Sequence, residues 1–350
     1  MNKRRFFSKL RQLHYVDSDE PLEEQEGPSP LDRRSFLKTA VGGVAALAGL
    51  TKCSWTWRDM VGDELIEGVR RRYDPKKSYN PNKVLFIGID GLRVDALDKS
   101  IKQGRARNLE RLISDGFYSN KSQTSKFTWS GPGWSTIFTG TWPKKHGVID
   151  NSFCGSQFKK YPSLFTRLKR ARPEFHTVSI ASWDPINKYI NMDADYKAFF
   201  PHSKQGDLGV RLEAVRTLNE DDPDVMFTYF VNVDNVGHKH GFHPDVPEYM
   251  EQIHKTDLNV GLVLTSLYSR PSFNRENWVI VVTSDHGGTM HGHGGQSKEE
   301  CTVPYIVSGK GAAQHLVVRE PPMQVDVTPT ILNHLGVEVN VAWRLDGKSV

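Results

Sequence analysis

The sequence is poor in cysteine and has no long apolar run. Its three cysteines, Cys53, Cys154 and Cys301, stand at unrelated spacings without a CxxC pair. They therefore indicate neither a disulfide framework nor a thiolate zinc site. The weakly apolar residues 39–50 cover about a dozen positions, too few to cross a bilayer. We expect no stable membrane span.

The sequence also lacks a large excess of charges of one sign. The net charge is +5 over 350 residues, and no dense basic stripe accompanies it. Nucleic-acid binding is therefore not predicted as the main activity. With 37% hydrophobic and 25% charged residues, the composition is typical of a globular protein. The sequence shows no internal repeat, and no pattern in it indicates an oligomeric state.

The N-terminal segment has an unusual order of residues. Arg33 and Arg34 are followed by Ser-Phe-Leu-Lys and then by residues 39–50. This order resembles a twin-arginine (Tat) export signal, with an ordinary amphipathic helix as the alternative. Lys52 stands before Cys53, where a lipoprotein signal has a small residue, which argues against lipid anchoring. We expect a leader over residues 1–53 and an exported protein, periplasmic or extracellular.

Residues 54–80 are polar and basic, and we interpret them as a linker or a lead-in helix. From residue 81 to residue 350, strand-like and helix-like patterns alternate, which favours one α/β domain with a parallel-type sheet. Besides the runs described next, the pattern predicts strands over 176–183 and 303–308. It predicts helices over 108–115, 247–267 and 325–335.

Three apolar, strand-like runs end in residues that commonly bind metals. Residues 84–89 lead into Asp90, residues 225–231 into Asp234 and His238, and residues 279–282 into Asp285 and His286, with His293 shortly after. The carboxyl ends of parallel strands meet at one edge of a sheet, where sites form. Carboxylates and imidazoles suit zinc, with manganese as the alternative. Three acids with three histidines suit two divalent ions better than one.

Each run taken alone has an ordinary alternative. Asp90 could cap a helix, and Asp285 with His286 could be a buried hydrogen-bonded pair. His238 could lie in a surface loop with His240 and His243. The prediction of a metal site fails only if all three of these alternatives are true at once.

A nucleophile is predicted in the segment Thr-Trp-Ser-Gly-Pro-Gly-Trp, residues 128–134. Its small residues and proline place Ser130 at a helix N-terminus, where backbone N–H groups and the helix dipole favour an anion. A serine hydroxyl needs a base or a metal to become a good nucleophile. Simple capping by Ser130 is the alternative, and Ser135 and Thr136 are rival hydroxyls inside the helix.

The order of these motifs along the chain, over about residues 83–350, is itself informative. Three further segments belong to the series: His146-Gly147, His293-Gly294-Gly295 and Leu345-Asp346-Gly347. In that order they resemble the alkaline phosphatase superfamily, specifically its type I phosphodiesterase/nucleotide pyrophosphatase branch. The resemblance implies an alkaline-phosphatase-like three-layer α/β sandwich with a mostly parallel central sheet. It also implies that residues 81–350 form a catalytic domain.

The resemblance implies a division of the ligands between two metal ions. One ion is held by Asp90, Ser130, Asp285 and His286, and the other by Asp234, His238 and His293. His291 competes with His293, but the glycines after His293 match the family better. The implied reaction is in-line displacement at phosphorus by Ser130 through a phospho-enzyme.

Two departures from the family affect the expected substrate. Nucleotide pyrophosphatases usually show Thr-Phe-Pro-Asn where this chain has Ser-Gly-Pro-Gly, so the amide donor is absent at Gly133. Trp134 stands where the sulfatase signature has arginine. We therefore expect a hydrolase of small phosphate esters, either phosphodiesters or pyrophosphate-type bonds. A phosphomonoesterase or phosphonate hydrolase is the alternative, ahead of a sulfatase or an inactive metal-binding homologue.

Five further residues are candidates with two interpretations each. Asp257 could hydrogen-bond a metal ligand or be a surface acid. Arg93 and Lys126 could contact phosphate or be surface charges. Trp129 and Trp134 could line a substrate pocket or pack beside the helix start.

Overall fold

The computed structural model describes residues 65–72, 80–310, 312 and 320–350. The predicted leader over residues 1–53, with Arg33, Arg34 and Cys53, lies outside the described residues. So does much of the predicted linker over residues 54–80.

Eight strands of the described chain form one sheet, in the order β1-β5-β4-β6-β2-β7-β8-β3. Their bounds are β1 Leu65–Gly68, β2 Asn82–Ile89, β3 Gly116–Gln123, β4 Thr177–Ala181, β5 Tyr196–Phe199, β6 Val225–Phe230, β7 Asn277–Thr283 and β8 Thr302–Gly309.

The five inner strands, from β5 to β7, run parallel to one another. Strands β1, β8 and β3 pair antiparallel at the two sides. The predicted mostly parallel sheet is therefore confirmed. Leu65–Gly68 lies in the segment interpreted as a linker or a helix, and this part of it is a strand, because it finds backbone partners along the edge of β5.

The described residues contain ten α-helices. They are α1 Val94–Lys102, α2 Arg107–Ser114, α3 Ser130–Thr139, α4 Pro143–His146, α5 Leu164–Ala171, α6 Gly206–Glu220, α7 Asn232–His240, α8 Pro247–Tyr268, α9 Lys298–Cys301 and α10 Val327–His334. The helices predicted over 108–115 and 247–267 are α2 and α8. The helix predicted over 325–335 is a 3-10 turn, Gln324–Asp326, followed by α10.

The sheet is covered on both faces, and the side chains of β2 show why. Leu85 and Ile87 point into one core with residues of α1, α2, α6 and α8. Val84 and Phe86 point into a second core with residues of α3, α5 and α10. Since successive side chains of a strand alternate between its faces, an all-apolar strand needs helices on both sides. The three-layer sandwich is confirmed.

Among the described residues, no helix combines the length and the apolarity that crossing a membrane requires.

Candidate active site

The three predicted acids come together because their strands are neighbours in the sheet. Strand β2 lies between β6 and β7, and Asp90, Asp234 and Asp285 follow the ends of these three strands. Gly91, directly after Asp90, has a φ of +65°. A Cβ at this position would lie 2.9 Å from Cα of Asp234. Glycine therefore permits both the left-handed turn and the close approach of two acid-bearing segments.

Three histidines are held by the same kind of hydrogen bond. Nδ1 of His286 donates to the carbonyl of Gly287 at 2.7 Å, and Nδ1 of His293 donates to the carbonyl of Thr128 at 2.7 Å. Nδ1 of His238 donates to the carbonyl of His291 at 2.9 Å. Because a carbonyl only accepts, each Nδ1 carries the proton and each Nε2 keeps a free lone pair. This is the arrangement that supports a metal-binding imidazole.

These Nε2 atoms face the acids. Nε2 of His286 lies 3.4 Å from Oδ1 of Asp90 and 3.2 Å from Oδ2 of Asp285. Asp234 faces the other two histidines, with its Oδ1 3.5 Å from Nε2 of His293 and its Oδ2 3.4 Å from Nε2 of His238. Asp90, Asp285 and His286 could hold one ion, and Asp234, His286 and His293 could hold another. His286 thus lies between the two groups.

One oxygen of each acid is buried without a hydrogen-bond donor, namely Oδ1 of Asp90, Oδ1 of Asp234 and Oδ2 of Asp285. Burial and the neighbouring carboxylate of Asp285 raise the pKa of Asp90 to about 8, and burial raises the pKa of Asp285 to about 7. Burial and the charge of Asp90 raise the pKa of Asp234 well above its ordinary value. Buried acids without donors are what a cation would satisfy. The donor set therefore fits divalent metal ions.

Ser130 is the first residue of α3 and is buried, with its Oγ 3.3 Å from Nε2 of His286. The helix packs so tightly here that a Cβ at Gly133 would lie 2.7 Å from Cβ of Asp285. The rival hydroxyl of Thr136 contacts Nε2 of His146 at 3.0 Å instead. Ser135 is buried within α3. Of the three hydroxyls, that of Ser130 contacts the acid–histidine cluster.

Asn151 is a site residue that the sequence did not reveal. Its Oδ1 accepts a hydrogen bond from the backbone N–H of Gly131 at 2.7 Å, which places a side-chain amide beside Ser130. A side-chain amide from another segment therefore contacts the start of α3, where Gly133 offers none. No local pattern indicates this, because Asn151 reaches α3 through a loop contact.

Two more residues hold the acids in place. The Tyr229 hydroxyl, buried in β6, donates a hydrogen bond to Oδ2 of Asp90. Nε2 of Gln324 donates to the carbonyls of Ser284 and Asp285, at 2.9 and 2.6 Å. Both are buried. A tyrosine in a strand and a glutamine in a turn carry no sequence signal for this role.

Asp257 and Arg93 have structural roles. Asp257 is buried, so it is not a surface acid, and its carboxylate accepts the backbone N–H groups of Asn108 and Leu109 at the start of α2 rather than contacting a predicted ligand. Arg93 is also buried, and its guanidinium donates to Asp95 and to two backbone carbonyls. Neither interpretation made for Arg93 holds.

The two tryptophans and Lys126 differ in exposure. Trp134 is fully buried and packs edge-on against Phe227 and Tyr229, so it lies in the core. Trp129 is 40% exposed beside Ser130. Lys126 is exposed. The arginine position of the sulfatase signature is therefore occupied by a core side chain.

Solved structures with the same fold include enzymes of two kinds. The murine ectonucleotide pyrophosphatase/phosphodiesterase 5 is similar with a TM-score of 0.60 and 15% identity, over 74% of this chain and 96% of that chain. A 2-O GAG sulfatase is similar with a TM-score of 0.59 and 16% identity, over 78% of this chain and 73% of that chain. At such identities the likeness shows the fold alone.

Comparison of sequences relates the chain to the first of these two kinds. The human ectonucleotide pyrophosphatase/phosphodiesterase family member 7 is 25% identical over 238 residues, 59% of this chain and 48% of the relative. The chain thus spans about half the length of this curated relative. The family description "Type I phosphodiesterase / nucleotide pyrophosphatase" matches residues 84–291. Since that match takes in more than half of the chain, the protein belongs to the type I phosphodiesterase/nucleotide pyrophosphatase family.

Proposed function

We propose that this protein is an exported, metal-dependent hydrolase of phosphoric diester or pyrophosphate-type bonds. One observation carries the proposal: the Ser130 hydroxyl lies 3.3 Å from Nε2 of His286, within a cluster of three acids that each have one buried oxygen without a donor. Family membership supports the reaction class. The substrate and the bond cleaved are part of the proposal.

The residues that would hold two divalent ions, zinc in preference to manganese, fall into two sets. Asp90, Ser130, Asp285 and His286 form one set, and Asp234, His238 and His293 form the other. Such ions, when bound, would lower the pKa of the serine hydroxyl and neutralise negative charge on the phosphate. His286 lies close to residues of both sets.

The chain's own residues then account for the chemistry at phosphorus. Ser130 Oγ forms the new bond to phosphorus, the ester alcohol leaves, and water hydrolyses the resulting phosphoserine. The start of α3 points backbone N–H groups and the positive end of its dipole at this position. Nδ2 of Asn151 is the remaining donor of an amide already fixed by Gly131, and it would bind a phosphate oxygen. Such fixed donors stabilise charge that develops in the transition state.

The test compares p-nitrophenyl diester, monoester, nucleotide ester and sulfate substrates, each with and without a chelator. We expect chelator-sensitive turnover of the diester or the nucleotide ester. Preference for the monoester would favour the phosphomonoesterase alternative, and turnover of none of the four would contradict the proposal.

The variant Ser130→Ala tests the nucleophile separately. It should lose turnover at least 100-fold and retain most bound metal, because six protein ligands remain. Asn333→Ala, on the exposed face of α10, serves as the control. Full activity of Ser130→Ala would show that another group attacks phosphorus.

Export rests on the Arg33-Arg34 motif. Fusing residues 1–53 to a reporter should direct its export, and changing Arg33 and Arg34 to lysine should abolish it. Export of the lysine variant at the normal level would contradict the Tat interpretation.

A further inference from the structure

Trp129 and Met290 are large apolar side chains exposed on two of the segments that form the site. Trp129, which is 40% exposed, directly precedes Ser130, and Met290, which is 79% exposed, lies between His286 and His293. Scattered apolar residues on a surface are ordinary. Apolar residues concentrated beside buried polar groups are typical of a ligand site.

Two more exposed apolar side chains lie near site residues in the chain, one on the Trp129 segment and one on the loop that carries Asn151. Phe127 is 40% exposed, two residues before Trp129, and Ile149 is 49% exposed, two residues before Asn151. The backbone between Ile149 and Asn151 lies against α3, since a Cβ at Gly131 would be 2.7 Å from the carbonyl oxygen of Asp150. We call Phe127, Trp129, Ile149 and Met290 the apolar rim.

The ring of Trp129 is fixed in place against the histidine side of the site. Its centroid lies 5.2 Å from that of His293, at an interplanar angle of 68°. Gly294 has a φ of +111°, and a Cβ there would lie 2.7 Å from the indole ring. Thr128 joins the two segments, because its Oγ1 accepts the N–H of Gly294 at 2.8 Å. The exposed indole surface is therefore presented rigidly.

The backbone conformation and the exposure of Met290 both cost the free protein stability. It stands at a φ of +51°, a left-handed conformation that costs a non-glycine residue free energy. Its side chain gains almost no burial. The position is fixed by hydrogen bonds between Thr289 and Gly292 on either side and by the N–H of Phe242, which the carbonyl of Met290 accepts at 2.7 Å. Strain of this kind is retained mainly where a site uses the residue.

We propose that the apolar rim binds an alkyl or aryl ester group of the phosphodiester substrate, an inference that rests on the proposed function. The acids, Ser130 and Asn151 would hold the phosphate, and the rim residues lie close to these site residues in the chain. A tryptophan offers a large apolar area at a small entropic cost. Contact with an apolar ester group would remove this surface from water.

The experiment uses three diesters that share a p-nitrophenyl leaving group and carry methyl, hexyl or phenyl as the second ester group. For the wild-type protein we expect kcat/KM to be at least tenfold higher for the hexyl and phenyl esters than for the methyl ester. Trp129→Ala and Met290→Asn should each reduce that ratio at least threefold. Leu258→Asn, at a 50% exposed position of α8, is the matched control and should keep the ratio.

The outcomes separate this inference from the proposed function. Hydrolysis of the methyl ester without any preference for the larger ester groups would overturn the role of the apolar rim and leave the proposed function in place. Hydrolysis of no diester would overturn the proposed function as well. If Trp129→Ala and Met290→Asn both keep the preference for the hexyl and phenyl esters, the role of the apolar rim is overturned as well.

Met290→Asn gives a second readout, because asparagine tolerates positive φ. We expect its melting temperature to equal or exceed that of the wild type while the substrate ratio falls. A lower melting temperature with an unchanged ratio would assign Met290 a structural role and overturn its place in the rim.

Discussion

The Nε2 atoms of His238 and His293 lie 3.0 Å apart. Each ring already donates its Nδ1 proton to a backbone carbonyl, so two nitrogen lone pairs face each other. Facing lone pairs repel unless a cation or a proton lies between them. Burial lowers the pKa of His293 to about 2, which makes a proton the poorer solution. A metal ion bound between the two nitrogens would satisfy both lone pairs, as the proposed ligand set requires.

This pairing predicts that His293→Ala removes close to one metal ion per chain. His291→Ala, two residues earlier, is the matched control, because the hydrogen bond of its side chain is to the carbonyl of His238, at 3.3 Å. Metal content after gel filtration, measured by elemental mass spectrometry, distinguishes the two variants. Equal metal content would contradict the assignment of His293 as a ligand.

The amide of Asn151 predicts a catalytic effect that can be separated from folding. Asn151→Asp keeps an oxygen that accepts the N–H of Gly131 but removes the Nδ2 donor. We expect kcat to fall by about 10²–10³, the loss usual for one oxyanion donor, with a melting temperature close to that of the wild type. Wild-type turnover in this variant would show that Asn151 only supports α3.

The hydrogen bond from Tyr229 to Asp90 predicts that Tyr229→Phe weakens metal binding by about 10–100-fold, as loss of a ligand's supporting partner commonly does. Tyr305→Phe is the control, since its buried hydroxyl bonds Thr330 at 3.2 Å instead. Both variants should lose some thermal stability. Competition with a fluorescent chelator measures metal affinity, and equal affinity in the two variants would count against this role.

Buried His146 predicts a loss of stability in acid. Its Nδ1 accepts the N–H of Val148 at 3.1 Å, and burial lowers its pKa to about 3 from an ordinary 6.5. Between these values the unfolded chain binds a proton that the folded chain does not. The free energy of unfolding should therefore fall as the pH drops below about 6.5, by up to about 1.4 kcal/mol per pH unit from this group.

Urea denaturation of the wild type and of His146→Gln at pH 7 and pH 5 measures this contribution. The wild type should lose about 2 kcal/mol more than the variant over this interval. Subtracting the stability loss of the variant from that of the wild type removes the contribution of the acid cluster, which both proteins share. Parallel pH profiles would mean that His146 takes up its proton without unfolding.

The sequence predicted the parts of the site that follow strands. Asp90, Asp234 and Asp285 each end an apolar run, and the parallel order of β6, β2 and β7 brings them to one edge. Ser130 was predicted from small residues at a helix start, and it begins α3. In each case a local residue pattern, combined with a general rule for sheet edges or for helix starts, was sufficient.

Residues that act through long-range contacts could not be predicted. Asn151 meets Gly131 across a loop, and Tyr229 is one buried strand residue among several. Asp257 shows the same limit, because its two interpretations were a partner of a metal ligand and a surface acid, and it is instead a buried acid that accepts N–H groups at the start of α2. Strand β8 pairs antiparallel to β7, and the residue pattern of a single strand does not encode its direction.

Gln324 lies outside residues 84–291, the range matched by the family, yet it bonds the carbonyl of Asp285. The tail beyond it closes back on α3, since the N–H of Asp346 donates to the carbonyl of Gly140 at 2.9 Å. A chain shortened to the matched range would lose both attachments. A fragment intended to fold and to turn over a substrate should therefore extend beyond the matched range, through Gly347.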